Sequence, residues 1–337
     1  MGRDLAIDLG SANILVYRQG DGVVFQEPTV VALHGGTGEV VAMGEEAWQM
    51  LGGDSGNVLA FRPLRAGTMT EFDVTQRMLA VVFNRVGVTR FPKPRVVVCM
   101  PPVASPVERR AIERAIRYAG GRQVVPVEEP LAAAVGANLP VHEPLGNLIV
   151  DIGGGRSEMA VVSMGGVVSG RSSKIGGFDL DVAIQDHIRS RYGVAIGEKS
   201  AEELKIAIGS AFPSPSGRAA KVIGRELASG NTVEVLVDED EIRQAMAPAV
   251  GAIVEEARMT LAEAPPELTH DVLETGMFLT GGGSLLRGLD MLLAQECEVP
   301  VHVVERPLET VVRGAGRMLE HLDDYRSSFQ LLRRGSV

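Results

Sequence analysis

The sequence is poor in cysteine, in aromatic residues and in long apolar runs. Its 337 residues include two cysteines, Cys99 and Cys297, and one tryptophan. Neither cysteine belongs to a CxxC pair, which excludes a cysteine-rich zinc site and a dithiol redox motif, and we expect two buried reduced thiols. No apolar run approaches the roughly 20 residues that a membrane-spanning helix needs. No signal peptide precedes the strand expected to begin near Asp4, so the expected compartment is the cytoplasm.

The chain also lacks an excess of positive charge. Acidic residues outnumber basic ones by 43 to 33, and the net charge is −10. Phosphate backbones are bound by basic faces, so this balance excludes a general nucleic-acid binder. The 40 glycines exceed the usual share of about 7% and favour a protein with several backbone-lined loops. The length suits two domains of ordinary size.

Two segments about half the chain apart share one pattern. Residues 6–17 and 149–162 each contain an apolar strand, an acid (Asp8 or Asp151), a turn of glycine and small polar residues, and a second apolar strand. The N–H groups of such a turn converge on an anion, whereas the acid favours a divalent cation bound to that anion. Taken singly, each acid has the alternative of a simple turn residue. Together they predict a clamp for a nucleoside triphosphate and Mg²⁺ between two similar domains.

The rest of the chain alternates strand-like and helix-like segments, which predicts an α/β fold with a mixed sheet in each half. The domain boundary is expected near residues 142–146, and Pro248 is expected to kink or restart a helix over residues 239–264. Strands are expected at residues 5–9, 14–17, 23–26, 30–33, 96–100, 148–151, 159–163, 166–170 and 277–280, and other helices at residues 105–119, 130–137, 179–192, 201–208 and 285–296.

Three further groups are candidate site residues. A glycine loop after the strand at 277–280 would let a ligand approach the backbone; its residues are Gly281, Gly282, Gly283 and Ser284. A short helix carries Glu202, Glu203 and Lys205, which either reach a nucleoside or form an ordinary solvated face. Glu129, directly before Pro130, either favours a helix N-terminus or orients the water that attacks a γ-phosphate.

At this point the chain resembles the MreB-like bacterial actins of the actin/Hsp70/sugar-kinase ATPase superfamily. The matching segments are residues 8–17, 26–32, 44–47, 62–64, 71–75, 128–137, 139–140, 151–155, 197–205 and 279–290. The resemblance implies the four-subdomain actin-like ATPase fold. Domain I would comprise residues 1–144 and 310–337, with a small subdomain at about 33–65. Domain II would comprise residues 145–309, with a small subdomain at about 181–241.

The resemblance also implies roles for individual residues. ATP would be held by Asp8, Gly10, Ser11, Ala12, Asn13, Gly153, Gly154, Gly155, Arg156, Glu202, Glu203, Lys205, Gly281, Gly282, Gly283 and Ser284. Mg²⁺ would be held by Asp8 and Asp151 largely through water, and Glu129 and Asp151 would be the catalytic acids. Arg156 stands where the family typically has a threonine that helps position the attacking water. We therefore expect ATP hydrolysis to ADP and phosphate to be slow, with Ser157 as a substitute for the missing hydroxyl.

The resemblance implies filaments of the chain itself, which lie at the inner face of the plasma membrane and organise cell-wall synthesis and rod shape. The expected partners are transmembrane cell-wall elongation proteins, and no nucleic acid. The expected membrane contact is the loop at residues 86–93, from Val86 to Lys93, in which Val88 and Phe91 would enter the lipid. An ordinary helix-to-strand connection is the alternative for this loop. The alternative function is a monomeric or regulatory, kinase-like ATPase of the same superfamily.

Overall fold

A computed structural model describes residues 4–52, 56–65, 68–69, 71–88, 92–213, 217–322 and 324–325. Its strands are β1 (Leu5–Leu9), β2 (Asn13–Arg18), β3 (Gly22–Pro28), β4 (Val31–His34), β5 (Val40–Met43), β6 (Val58–Phe61), β7 (Leu64–Arg65), β8 (Thr68–Met69), β9 (Arg95–Met100), β10 (Gln123–Glu128), β11 (Asn147–Ile152), β12 (Ser157–Ser163), β13 (Gly166–Ser173), β14 (Val194–Ala195), β15 (Ala219–Glu226), β16 (Thr232–Asp238), β17 (Met277–Thr280) and β18 (Val301–Val303). Its helices are α1 (Glu45–Met50), α2 (Phe72–Arg85), α3 (Pro106–Ala119), α4 (Glu129–Gly136), α5 (Gly177–Tyr192), α6 (Glu198–Ile208), α7 (Glu239–Glu263), α8 (Pro266–Thr275), α9 (Leu289–Cys297) and α10 (Thr310–Glu320).

Two five-stranded sheets share one strand order and one set of strand directions. The first sheet runs β3–β2–β1–β9–β10, and the second runs β13–β12–β11–β17–β18. In each sheet the first three strands are antiparallel neighbours and the last three are parallel neighbours. The hairpin repeat seen in the sequence thus extends to two complete mixed sheets, which confirms the expected α/β fold class.

Helices cover both faces of the first sheet because its apolar side chains alternate between the faces. In β1, Ile7 packs in a cluster with side chains of α2 and α3. Its neighbour Ala6 packs on the other face in a cluster with α4 and α10, and this cluster also includes Ile149 of the second sheet. Helices α4 and α10 therefore lie between the two sheets and form a core common to both.

Close backbone contact joins these two central helices. A Cβ atom added to Gly314 in α10 would lie 1.8 Å from the carbonyl oxygen of Ala132 in α4. A Cβ atom added to Gly136 in α4 would lie 1.9 Å from the carbonyl oxygen of Thr310. Since real Cβ atoms do not approach oxygen this closely, glycine is required at both positions.

The outer face of the second sheet is covered by α5, α7 and α9, which bury Ile184, Met246 and Leu293. Three smaller sheets complete the fold: β5–β4–β6, against which α1 packs, β14–β15–β16, and the two-stranded β7–β8. Both cysteines are buried free thiols, as expected.

The expected helix over residues 285–296 was wrong, and of the two outcomes expected at Pro248 the restart was wrong, whereas the kink stays a prediction. Residues 285–296 do not form one helix: a 3-10 turn spans Gly282–Leu285, and α9 begins only at Leu289, because Gly288 adopts a left-handed conformation with φ 71°. Pro248 does not restart a helix, since α7 continues through it from Glu239 to Glu263. Burial of Met246 and Val250 on either side of the proline offsets the hydrogen bond that proline cannot donate.

Among the described residues, no helix combines the length and the apolar character needed to cross a membrane.

Candidate functional site

A cavity of about 440 Å³ lies where the loops of the two hairpins meet. The first loop is Gly10–Asn13 between β1 and β2, and the second loop is Gly153–Arg156 between β11 and β12. The expected site residues that line the cavity are Asp8, Gly10, Ser11, Ala12, Asn13, Glu129, Asp151, Gly153, Gly154, Gly155, Arg156, Glu202, Lys205, Gly281, Gly282 and Gly283. The structure thus brings together residues from five separate stretches of the sequence.

Two expected site residues do not line this cavity. Glu203 is exposed on the outer side of α6. Ser284 is buried beneath the glycine loop at residues 281–283, which follows β17. Its hydroxyl donates a hydrogen bond to the carbonyl oxygen of Gly281 at 2.7 Å. Ser284 therefore supports the loop rather than facing a ligand.

The first and second loops touch each other. A Cβ atom added to Gly154 would lie 2.6 Å from the Cβ of Ala12 and 3.0 Å from the ring of Phe178. The first loop is also held by Thr29, whose N–H donates to Ala12 O at 2.8 Å and whose hydroxyl donates to Gly10 O at 2.7 Å. These contacts leave no room for a side chain at Gly154, so the backbone of both loops faces the cavity.

The two acids beside these loops are poorly stabilised as anions by the protein itself. Burial, reinforced by the charge of Asp151, raises the pKa of Asp8 to about 7. Burial raises the pKa of Asp151 to about 6. Two adjacent carboxyls of this kind suit a divalent cation, which would supply the missing positive charge.

The protein alone offers few ligands for such a cation. The described residues contain no group of three or more His, Cys, Asp and Glu side chains placed to hold a metal ion. A cation between Asp8 and Asp151 would therefore complete its coordination with water and with oxygens of a bound phosphate. This donor set is typical of Mg²⁺.

Glu129 is the first residue of α4, and its carboxyl faces the cavity. Burial and the nearby acids Glu158, Asp8 and Asp151 raise its pKa well above the usual range, while Arg156 opposes the shift. Glu129 is therefore a carboxyl with a raised proton affinity, and it could accept a proton from an attacking water once a cation beside Asp8 and Asp151 favoured its ionised form.

Glu158 is a cavity residue that the sequence reasoning missed. It lies in β12 opposite Asp151, is 3% exposed, and its Oε1 accepts a hydrogen bond from the hydroxyl of Ser172 at 3.4 Å. Burial and the charge of Asp151 raise its pKa to about 8. Its signal was available in the sequence, since it is an acid directly before the apolar run from Met159 to Val162, and strands buried on both faces rarely carry a charge.

The guanidinium of Arg156 is directed to neighbouring strands. Its Nη1 lies 3.3 Å from the hydroxyl of Ser172 in β13 and 3.6 Å from Oε1 of Glu158. The hydroxyl of Ser157 is buried and donates to Ile175 O at 2.7 Å. Ser157 therefore does not face the cavity, and the expectation that it replaces the missing threonine hydroxyl was wrong.

Lys205 of α6 reaches the cavity while remaining held by the second half of the chain. Its ammonium lies 2.8 Å from Oδ1 of Asp181 and donates to Gly177 O at 2.9 Å. Asp181 is buried, and burial raises its pKa to about 6 although Lys205 lowers it. Asp181 was also missed, because in the sequence it is one of several acids on a helix.

The loop expected to insert into lipid is described only in part, since residues 89–91, including Phe91, lie outside the described ranges. Val86 is buried. Val88 is partly buried and packs, close to Gly120, against the cluster that contains Ile7 and side chains of α2 and α3. The side chain of Val88 is thus partly engaged in packing, and its insertion into lipid stays a prediction. Pro92 and Lys93 are exposed.

Comparison with known proteins shows which proteins the whole chain is similar to. The family model described as MreB/Mbl protein matches residues 2–327. The cell shape-determining protein MreB of Escherichia coli (strain K12) is 47% identical over 326 residues, which cover 95% of this chain and 94% of that protein.

Solved structures of two proteins show the same fold. MreB5 of Spiroplasma citri bound to ADP has a TM-score of 0.92 and 31% identity, covering 97% of this chain and 99% of that one, and the same protein bound to AMPPNP also has a TM-score of 0.92. A MamK double helical filament has a TM-score of 0.79 at 21% identity, covering 94% of this chain and 98% of that one. At 21% identity, the match to MamK shows the actin-like fold alone.

Proposed function

The chain belongs to the MreB/Mbl family, and we propose that it is an ATP-binding cytoskeletal protein whose filaments lie on the membrane and organise cell-wall synthesis and rod cell shape. The observation that carries this proposal is the cavity between two matching hairpin loops, in a chain similar over 95% of its length to a cell shape-determining protein. MreB5 of Spiroplasma citri is bound to ADP in one structure and to AMPPNP in another, which supports ATP as the ligand.

We place the phosphates of ATP on the first and second loops. The backbone N–H groups of Ser11, Ala12 and Asn13 and of the glycines 153–155 supply donors where side chains are small or absent. The nucleoside would lie toward Glu202, Lys205 and the glycines 281–283. Exposed apolar side chains of Ile206 and Leu308 on the cavity wall suit the face of a purine.

Mg²⁺ fits the pair Asp8 and Asp151, whose raised pKa values show carboxyls in need of a positive partner. When bound, the ion neutralises charge on the β- and γ-phosphates. Glu129 orients the attacking water and accepts its proton. Asp151, beside the second loop, is the other catalytic acid. Glu158 is the nearby acid whose charge raises the pKa of Glu129, and it thereby increases the affinity of that carboxyl for a proton.

Hydrolysis of ATP to ADP and phosphate is proposed to be slow. The position typical of a water-positioning threonine carries Arg156, which is held by Ser172 and Glu158. No hydroxyl in the second loop takes its place, since Ser157 is turned toward Ile175. Slow turnover suits a filament protein, in which the nucleotide state sets the subunit conformation.

The repeated sheet topology supports a division into two actin-like domains. Residues 1–144 with 310–337 would form one domain, with β4–β6 in its small subdomain. Residues 145–309 would form the other domain, with β14–β16 in its small subdomain. ATP bound between the two would favour the closed, polymerising state.

The proposed location is the inner face of the plasma membrane, with transmembrane cell-wall elongation proteins as partners. The loop at residues 86–93 would make a weak contact in each subunit, with Lys93 at the headgroups and Phe91 in the lipid. An array of such loops along a filament would bind tightly through avidity.

The test is electron microscopy of the purified chain with Mg-ATP, with Mg-ADP and without nucleotide, each with anionic and with neutral vesicles. Filaments that need ATP and lie flat on anionic vesicles are expected. Monomers despite measurable ATP binding would overturn polymerisation and favour the monomeric or regulatory ATPase. Gly154→Ala should abolish filaments because its Cβ would separate the two loops, whereas Gly166→Ala, where a Cβ meets nothing within 4 Å, is the matched control.

A further inference from the structure

Arg62 is a buried cation behind the lining of the cavity, where it contacts the lining residues Ser11 and Ala12, and no catalytic role explains it. It follows β6 and is 9% exposed. Its Nε lies 2.7 Å from Oε1 of Glu198, the first residue of α6. An arginine this buried needs a partner for its charge, and here the partner belongs to the half of the chain that contains the second loop.

The guanidinium of Arg62 also lies between two aromatic rings. Its central carbon is 4.9 Å from the centroid of Trp48, in α1, and 4.3 Å from that of Phe178, in α5. Trp48 belongs with the small β5–β4–β6 sheet, whereas Phe178 is tied to the second loop by its N–H, which donates to Gly154 O at 2.7 Å. One side chain is thus stacked between the two sides of the cavity.

The same guanidinium reaches the first loop. Its Nη1 donates to the carbonyl oxygens of Ser11 and Ala12 at 3.5 and 3.4 Å. Ala12 is the residue whose Cβ faces Gly154 across the junction of the two loops. Arg62 therefore contacts the backbone of one phosphate loop and, through Phe178, the support of the other.

A second polar contact runs parallel to the Arg62 contacts. Lys199 Nζ, next to Glu198 in α6, donates to Oε1 of Gln49 in α1 at 2.6 Å. The lysine contact joins α1 directly to α6, and Arg62, which lies between β6 and β7, contacts the same two helices through Trp48 and Glu198. The guanidinium contact is the buried one and the lysine contact is exposed, so Arg62 contributes most of the attachment.

We propose that Arg62 is a positioning residue that ties the two sides of the nucleotide cavity together and so controls how fast bound nucleotide leaves. The inference rests on the proposed binding of ATP in this cavity. A nucleotide held between the loops escapes when the two sides separate, and separation requires breaking the Glu198 pair and unstacking Phe178. Arginine is suited to this role because its planar group stacks and donates at the same time, which lysine does not.

The test measures dissociation of a fluorescent, non-hydrolysable ATP analogue with Mg²⁺, chased by excess ATP at protein concentrations where no filaments sediment. Arg62→Ala is expected to speed dissociation about tenfold, equivalent to about 1.4 kcal/mol, and Arg62→Lys to give a smaller increase. Arg77→Ala, which removes an exposed guanidinium bonded to Gly38 O, is the matched control and should leave the rate unchanged.

The double variant Arg62→Ala with Glu198→Gln distinguishes a contact that joins the two sides of the cavity from one that only supports the local fold. The tie predicts that Arg62→Ala with Glu198→Gln dissociates no faster than Arg62→Ala alone. An unchanged rate in Arg62→Ala with a lower melting temperature, or rate increases that multiply in the double variant, would overturn the inference. If Arg62→Ala does not fold, Glu198→Gln alone must still speed dissociation. Failure of the wild-type protein to bind the analogue would instead overturn the proposed ATP site.

Discussion

Replacing Asp8 with asparagine is expected to stabilise the nucleotide-free protein while removing its Mg²⁺-dependent nucleotide binding. The carboxylate stands at the end of β1 in a buried position, beside Asp151. Without a cation, folding at neutral pH forces a charge into this position. An amide of the same shape avoids that cost but cannot serve a divalent ion.

The magnitude follows from the pKa. Burial raises the pKa of Asp8 from 3.8 to about 7, and a shift of about three units corresponds to about 4 kcal/mol. The side chain is partly accessible from the cavity, so water screens some of its charge. We therefore expect Asp8→Asn to raise the free energy of unfolding by about 2 kcal/mol at pH 8.

The sign of the pH dependence is fixed by the raised pKa. Below about pH 4 the carboxyl is protonated in both the folded and the unfolded chain, so the substitution changes little. Between about pH 4 and pH 7 the unfolded chain loses its proton first, and the wild-type protein loses stability relative to the variant. Above about pH 7 the difference is constant.

The assay is urea unfolding of both proteins from pH 4 to pH 8 without nucleotide, followed by melting with and without Mg-ATP at pH 8. Asp240→Asn, at an exposed carboxylate paired with Arg243, is the control and should show no such trend. A variant that is no more stable than wild type at pH 8, or one still stabilised by Mg-ATP as strongly as wild type, would refute the reasoning.

Three other predictions concern turnover and folding. Arg156→Thr should raise the rate of phosphate release about tenfold or more, since positioned acid–base groups contribute about 10²-fold; an unchanged rate would show that the arginine does not limit hydrolysis. Gly314→Ala, which places a Cβ 1.8 Å from a carbonyl oxygen, should destabilise by about 3 kcal/mol in urea unfolding, whereas Gly251→Ala, in open space, should not destabilise. Lys205→Met should cost about 3 kcal/mol at pH 8, because it leaves Asp181 buried and unpaired, and less at pH 5, where that carboxyl is protonated; equal losses at both values would contradict this.

The sequence predicted the repeated hairpins because their signals are local. Alternating apolar residues, an acid and a run of glycines lie within about a dozen positions around Asp8 and around Asp151, and each step follows from backbone geometry. The helix beginning at Pro106 was also predictable, since its capping box of Ser105 and Glu108 is a local pattern that the structure contains.

Other features depended on contacts between distant residues. The helix through Pro248 persists because burial outweighs one absent hydrogen bond. Val88, which was expected to enter the lipid, is partly buried and packs against the core cluster that contains Ile7. In the sequence Glu158 and Asp181 are single acids among many, and only burial beside Glu129 and Lys205 gives them a role.

The sequence by itself therefore determined the two matching hairpin loops, the mixed-sheet fold class and the family resemblance, since these rest on short-range patterns in the chain. The tertiary structure decided which acids meet in the cavity, which way Arg156 and Ser157 turn, and that Arg62 joins the two sides. The physical reason is that burial, desolvation and charge pairing are set by side chains far apart in the sequence. Those effects arise only once the sheets and helices have packed.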